Sequence, residues 1–131
     1  MAEEKKPFFV IVCGEKLIAY TLEVTAKMNK TYRFTFATRM ENYVLDAYEL
    51  LTLAYIYKDK NMKLLKQREA YVKYRLFESF FRLARENGLI SEKQFEVTGK
   101  QLGMVIYYLE RWIGSTIKSM EAEKNKKGEN T

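Results

Sequence analysis

Three arginines, Arg68, Arg75 and Arg82, recur every seven residues within the segment 60–86, KNMKLLKQREAYVKYRLFESFFRLARE. On a helix advancing about 100° per residue, a seven-residue step drifts by only about 20°, so the three form one cationic ridge. Guanidinium groups in a row hold phosphates or carboxylates; they bind a polyanion rather than break a bond. The segment carries eight Lys and Arg against three acids, which leaves +5 of the chain's formal +6. Lys66 and Lys73 are further cationic candidates on the same helix. A second basic group, Lys27, Lys30, Arg33 and Arg39, has no acid between its members. Charge concentrated in this way steers nucleic acid or an acidic partner toward one surface. A solvated helix face is the plainer account of the same residues.

The residue types that are missing narrow the chemistry further. The chain of 131 residues has no histidine and one cysteine, Cys13. Ser-His-Asp and Cys-His nucleophile systems are therefore excluded within it, and the usual zinc ligand sets nearly so. A bundle can hold metal on Glu-x-x-His pairs, but Asp46 and Glu49 are the one close acidic pair on a helix face. They read as partners for basic residues. The expectation is a protein that is not an enzyme, with no cofactor and no metal. A lone cysteine allows no intrachain disulfide and fits a reducing compartment, so a cytoplasmic location is expected. No apolar run is long enough for a membrane span, and Phe8–Cys13 (FFVIVC) is too short for a signal-peptide core.

The elements that must carry these residues are helical. One domain is expected from the length, and 47% hydrophobic residues argue for a folded core. Residues 1–14 read as an N-terminal arm, with Phe8–Cys13 strand-like because it is rich in aromatic and β-branched residues. Residues 15–119 read as an all-α, antiparallel up-down four-helix bundle, and 120–131 as a disordered tail. The first helix covers 15–28 and the second 35–59, with Met40, Val44, Ala47, Leu51 and Ala54 as its core stripe. The third covers 60–86, with Leu65, Val72, Leu76 and Leu83, and Phe80 beside them, as its apolar stripe. Asn87-Gly88 ends it, and Ser91 with Gln94 forms a capping box for a fourth helix over 91–119. That helix should bury Phe95, Leu102, Ile106, Leu109, Ile113 and Ile117. Tyr71, Tyr74 and Phe81 fall on neither stripe of the third helix, and Tyr48 and Tyr55 make a further line on the second. These five are expected at an interface between copies of the chain.

Several stretches, in order, resemble the accessory variability determinant (Avd) family of diversity-generating retroelements. Arg33, Phe34, Thr35 and Arg39 match that family's R-F-T-L-x-x-R opening of its second helix. Asp46-Ala47-Tyr48-Glu49-Leu50-Leu51 resembles its L-D-x-x-E-L-L stretch. Leu64-Leu65 and Leu83-Ala84 are similar to its third helix, and Leu89-Ile90-Ser91 with Gln94-Phe95 to its L-L-S-x-x-Q-Y signature. The likeness spans about residues 7–118. The chain differs where the family has Phe-Pro before the basic loop (Met28-Asn29 here) and Gly-Gly before the late tryptophan (Glu110-Arg111 here). The resemblance implies a four-helix bundle assembled as a pentameric barrel with a basic surface. It implies partnership with the retroelement's reverse transcriptase, its template RNA and the RNA–DNA duplex, in support of mutagenic reverse transcription. The bundle proteins encoded within ribosomal RNA intervening sequences are the next family in likeness, but their Asn-Ile-Ala-Glu-Gly stretch is absent. A structural oligomeric adaptor with no nucleic-acid role is the remaining reading.

Overall fold

The computed structural model describes residues 2–129, with side chains from 8 to 128. Among these residues there is no strand. Four helices, α1 (Ala2–Ala26), α2 (Thr38–Ile56), α3 (Lys60–Glu86) and α4 (Glu92–Glu129), pack in a ring in which each touches its two sequence neighbours and α4 closes on α1. Contacts join the end of α1 to the start of α2 (Thr25 with Glu41), the middles of α2 and α3 (Asp46 with Lys73), the start of α3 to the later part of α4 (Gln67 with Thr116) and the early part of α1 to the middle of α4 (Phe9 with Tyr108). The order is therefore up-down-up-down, as short connections favour.

Two boundaries follow directly from capping chemistry. Gly88, at φ 70°, takes the left-handed position after α3. Its N–H reaches the Arg85 carbonyl, and the Leu89 N–H reaches that of Ala84, which satisfies two carbonyls the helix leaves open. Ser91 Oγ accepts from the Gln94 N–H (3.1 Å) while Gln94 Oε1 accepts from the Ser91 N–H (2.9 Å), a closed capping box.

The expected strand-like arm is helical instead. Val10, Ile11 and Cys13 are buried and continue into Leu17, Thr21 and Val24 at three- and four-residue steps. No strand exists to pair with FFVIVC, so burying its apolar side chains on the helical period overrides local β propensity. The expected tail is helical too, because α4 runs on to Glu129. Lys60, at the start of α3, bonds Ser119 and Glu123 and so ties the added turns to the bundle. Residues 130 and 131 of that tail lie outside the described residues.

The largest difference concerns α3. Its buried residues are Gln67, Ala70, Tyr74, Phe77, Phe81 and Ala84, whereas Leu65, Val72, Leu76 and Leu83 are exposed by 38–54%. The face expected in the core points outward. Tyr74 and Phe81, expected between copies, are interior to one copy. The helix has two apolar faces, and the aromatic one carries more area, worth about 1.5–3 kcal/mol per buried ring. Phe81 stacks on Phe77 (6.0 Å between centroids) and on Phe95 of α4 (4.6 Å). Tyr74 brings its hydroxyl against α1 at Gly14, where a Cβ would lie 3.1 Å from that oxygen and 3.3 Å from Leu51 Cδ1. By contrast α2 buries all five expected residues, and α4 buries Leu102, Ile106, Leu109 and Trp112, with Phe95 and Ile113 packed beside them.

Two measurements test this arrangement. Phe77→Ala is expected to cost about 3–5 kcal/mol in urea unfolding, and Val72→Ala to stay within about 0.5 kcal/mol. The second concerns pH. Burial, and secondarily Cys13, pushes the Tyr74 hydroxyl well above its ordinary pKa of 10. The unfolded chain ionises Tyr74 near pH 10 while the folded one keeps it neutral, so its contribution is intact below pH 10 and lost as the pH climbs beyond it. Tyr74→Phe should flatten that alkaline decline.

Candidate nucleic-acid interface

The ridge on α3 forms as the spacing requires, with Arg68, Arg75 and Arg82 all exposed. Its middle member is engaged. Arg75 Nε donates to the Tyr71 hydroxyl (3.0 Å), its guanidinium lies 5.0 Å from that ring, and it pairs with Glu78 (3.1 Å) and Glu110 of α4 (3.6 Å). The bond to Tyr71, ahead of that to Glu78, raises its pKa further.

Other cations of α3 meet acids that a count along the helix does not reveal. Lys73 faces Asp46 at 3.6 Å and lies over the Tyr43 ring; Arg85 donates to both oxygens of Glu92 (2.7 and 2.8 Å) and covers Phe95. Lys66 reaches Glu69 at 3.5 Å, and Lys60 pairs with Glu123. Lys63 bonds the Ala54 carbonyl beside Trp112, and burial lowers its pKa. Exposed pairs of this kind add about 0–1 kcal/mol each to stability, but they cancel much of the outward field. Arg68 and Arg82 have no acidic partner among the described residues.

The second basic group is built by the α1–α2 connection. α1 ends at Ala26, and the Asn29 side chain accepts the Thr31 N–H (3.1 Å), starting a single 3₁₀ turn over Lys30–Tyr32. A π turn over Arg33–Ala37 follows, closed by the Thr38 N–H and Thr38 hydroxyl on the Arg33 carbonyl, the latter at 2.9 Å. α2 thus starts at Thr38 and not at Thr35. Wide turns of this kind are uncommon and occur frequently at functional positions. Here the turn sends Phe36 inward against Phe80 (6.1 Å) and buries Ala37, while Phe34 stands 89% exposed.

Around that ring the charge is cationic. Arg33 reaches back to the Ala26 carbonyl (3.4 Å), and Arg39 lies 6.0 Å from the Phe80 ring. Lys27 and Lys30 have no acidic partner among the described residues. Of the nearby acids, Glu41 accepts the Thr25 hydroxyl (2.7 Å), and Glu23 lines a cleft of about 350 Å³ with Lys27, Lys93 and Gln94. The four basic residues singled out at this connection all lie at one end of the bundle, but toward different neighbours: Lys27 toward α4, Arg33 toward the end of α1 and Arg39 toward α3. Phe34 was not marked by spacing; a π turn has no composition signal of its own.

The five residues expected between copies separate. Tyr74 and Phe81 are core, Tyr71 is half-buried beside Arg75, Tyr48 is half-buried and donates to Glu15 (3.3 Å), and Tyr55 is 48% exposed. Among the described residues no group of three or more His, Cys, Asp or Glu could hold a metal ion, and no helix is long and apolar enough to cross a membrane. Burial pushes the Cys13 thiol up, against the lowering effect of Lys16. Fold and surface together define an all-helical, four-helix bundle with a basic connection at one end. No family model, curated protein or solved structure matches the chain.

Amine acylation followed by mass spectrometry checks the distinction between free and paired cations. Lys27 and Lys30 are expected to react several-fold faster than Lys60, which Ser119 and Glu123 hold.

Proposed function

We propose that the protein is a non-catalytic accessory of the retroelement type it resembles, binding template RNA and its cDNA duplex beside a reverse transcriptase. The observation that carries the reading is the α1–α2 connection. Lys27, Lys30, Arg33 and Arg39 all lie at that end of the bundle, and among the described residues none of them is in an ion pair. Arg68 and Arg82 extend the same sign of charge along the outside of α3. Contacts of this kind bind phosphate and carry little sequence information, so recognition follows shape and charge. The order of the motifs from Arg33 to Phe95 supports the retroelement context, and with it a homo-oligomer, pentameric in that family. The polymerase would perform the chemistry, and this chain would hold the template.

A second reading, an oligomeric adaptor, is favoured by one observation: Leu65, Val72, Leu76 and Leu83 form an uncovered apolar line along α3, with Arg68 and Arg82 on its flank. In that case the ridge arginines would meet acids of a neighbouring copy.

One experiment separates the two. RNA affinity of the full chain is measured against salt, and sedimentation is followed in parallel. If four phosphates are held, log K against log salt should fall with a slope of about −3 on single-stranded RNA. Lys30→Glu with Arg39→Glu should weaken binding by more than about tenfold and leave assembly intact. A flat salt dependence overturns the phosphate role. Arg68→Glu with Arg82→Glu that loses assembly while RNA affinity holds assigns the ridge to a subunit contact.

A further inference from the structure

The geometry points to Phe34 as a stacking platform for an unpaired base, so that the α1–α2 connection takes the single-stranded template by stacking while the RNA–cDNA duplex is held through phosphate contacts alone. The inference rests on the nucleic-acid reading above and names the form of nucleic acid that the site takes.

Among the described residues Phe34 has the highest exposure of the large hydrophobic side chains, at 89%, in a turn whose other aromatic, Phe36, is turned in against Phe80. The turn is closed by two bonds to one carbonyl, and Arg33 reaches the Ala26 carbonyl at the end of α1. The ring is therefore presented on a fixed support and not on a loose loop.

Its surroundings are polar and cationic. Next to it in the chain, Lys30, Thr31, Arg33, Thr35 and Thr38 are exposed, as is Tyr32, which packs its ring on Phe36. A base requires an aromatic face to stack upon, and cations within reach of the phosphates on either side. In a duplex the base faces are covered by their neighbours, so a protruding ring must first unstack a step, at a cost of about a few kcal/mol. In a single strand the faces are free, and every base offers one, so the preference is for unpaired RNA or DNA without strong sequence choice.

The test uses the full chain and fluorescence anisotropy at low salt, with a single-stranded RNA of roughly 12 nucleotides and the duplex of the same sequence. Phe34→Ala should weaken single-strand binding by about tenfold and leave duplex binding within about twofold. Phe34→Trp should retain single-strand affinity. Circular dichroism should be unchanged in both, since the ring supports nothing in the core. Equal affinity of Phe34→Ala and the parent for the single strand overturns the inference and leaves the phosphate reading standing. A parent chain that binds neither RNA overturns that reading as well. Loss of self-association in Phe34→Ala, with RNA affinity unchanged, assigns the ring to a protein contact and also overturns it.

Discussion

The rotation of α3 about its own axis is the constraint from which the rest of the surface follows. The helix carries an aliphatic line and an aromatic line, and only one can face the ring of neighbours. Tyr74, Phe77 and Phe81 go inside, with Ala70 and Ala84 at the ends of the same seam. Gly14 on α1 leaves room for the Tyr74 hydroxyl, and Phe95 on α4 continues the stack from Phe81. Interiors are packed to the density of organic crystals, so a ring that fills a gap between backbones fixes the angle of its helix. Once it is fixed, Leu65, Val72, Leu76 and Leu83 must face solvent, and Arg68 and Arg82 stand beside them.

That rotation also decides which cations are neutralised. The flank toward α2 places Lys73 against Asp46, and the flank toward α4 places Arg75 against Glu110 and Arg85 against Glu92. A helix that looks strongly basic by itself is therefore partly balanced within the bundle. The α1–α2 connection has no comparable set of acids aimed at it, so the shorter basic group presents the less compensated surface. Positive charge in excess along a chain and positive charge available to a ligand are separate quantities, and the folded neighbours set the second.

Much of the fold is legible in the residues themselves. Gly88 and the Ser91–Gln94 box mark their boundaries because each solves a local hydrogen-bonding problem without help from elsewhere. The stripe Met40, Val44, Ala47, Leu51 and Ala54 is legible because α2 offers a narrow, well-placed apolar line, and all five are buried. Periodicity fails on α3, where it finds two faces of similar weight and does not say which one turns inward. It fails on Phe8–Cys13, where composition favours a strand but the chain supplies no edge to pair with. It fails on Phe34, whose exposure depends on a turn wider than the helical period. The basic cluster at the connection was legible as a cluster; that its nearby acids, Glu23 and Glu41, form no ion pair with it was not, because that depends on how the side chains pack.

The π turn over Arg33–Ala37 accommodates one residue more than an α-helical turn would. Every side chain of α2 is phased from it. Loss of a single residue there would turn the following helix by about 100° and carry Met40 and Val44 out of the interior. Outward side chains in this stretch are thus open to exchange, while its length is not: the segment is a spacer whose residue count, more than its composition, keeps the second helix in step with the other three.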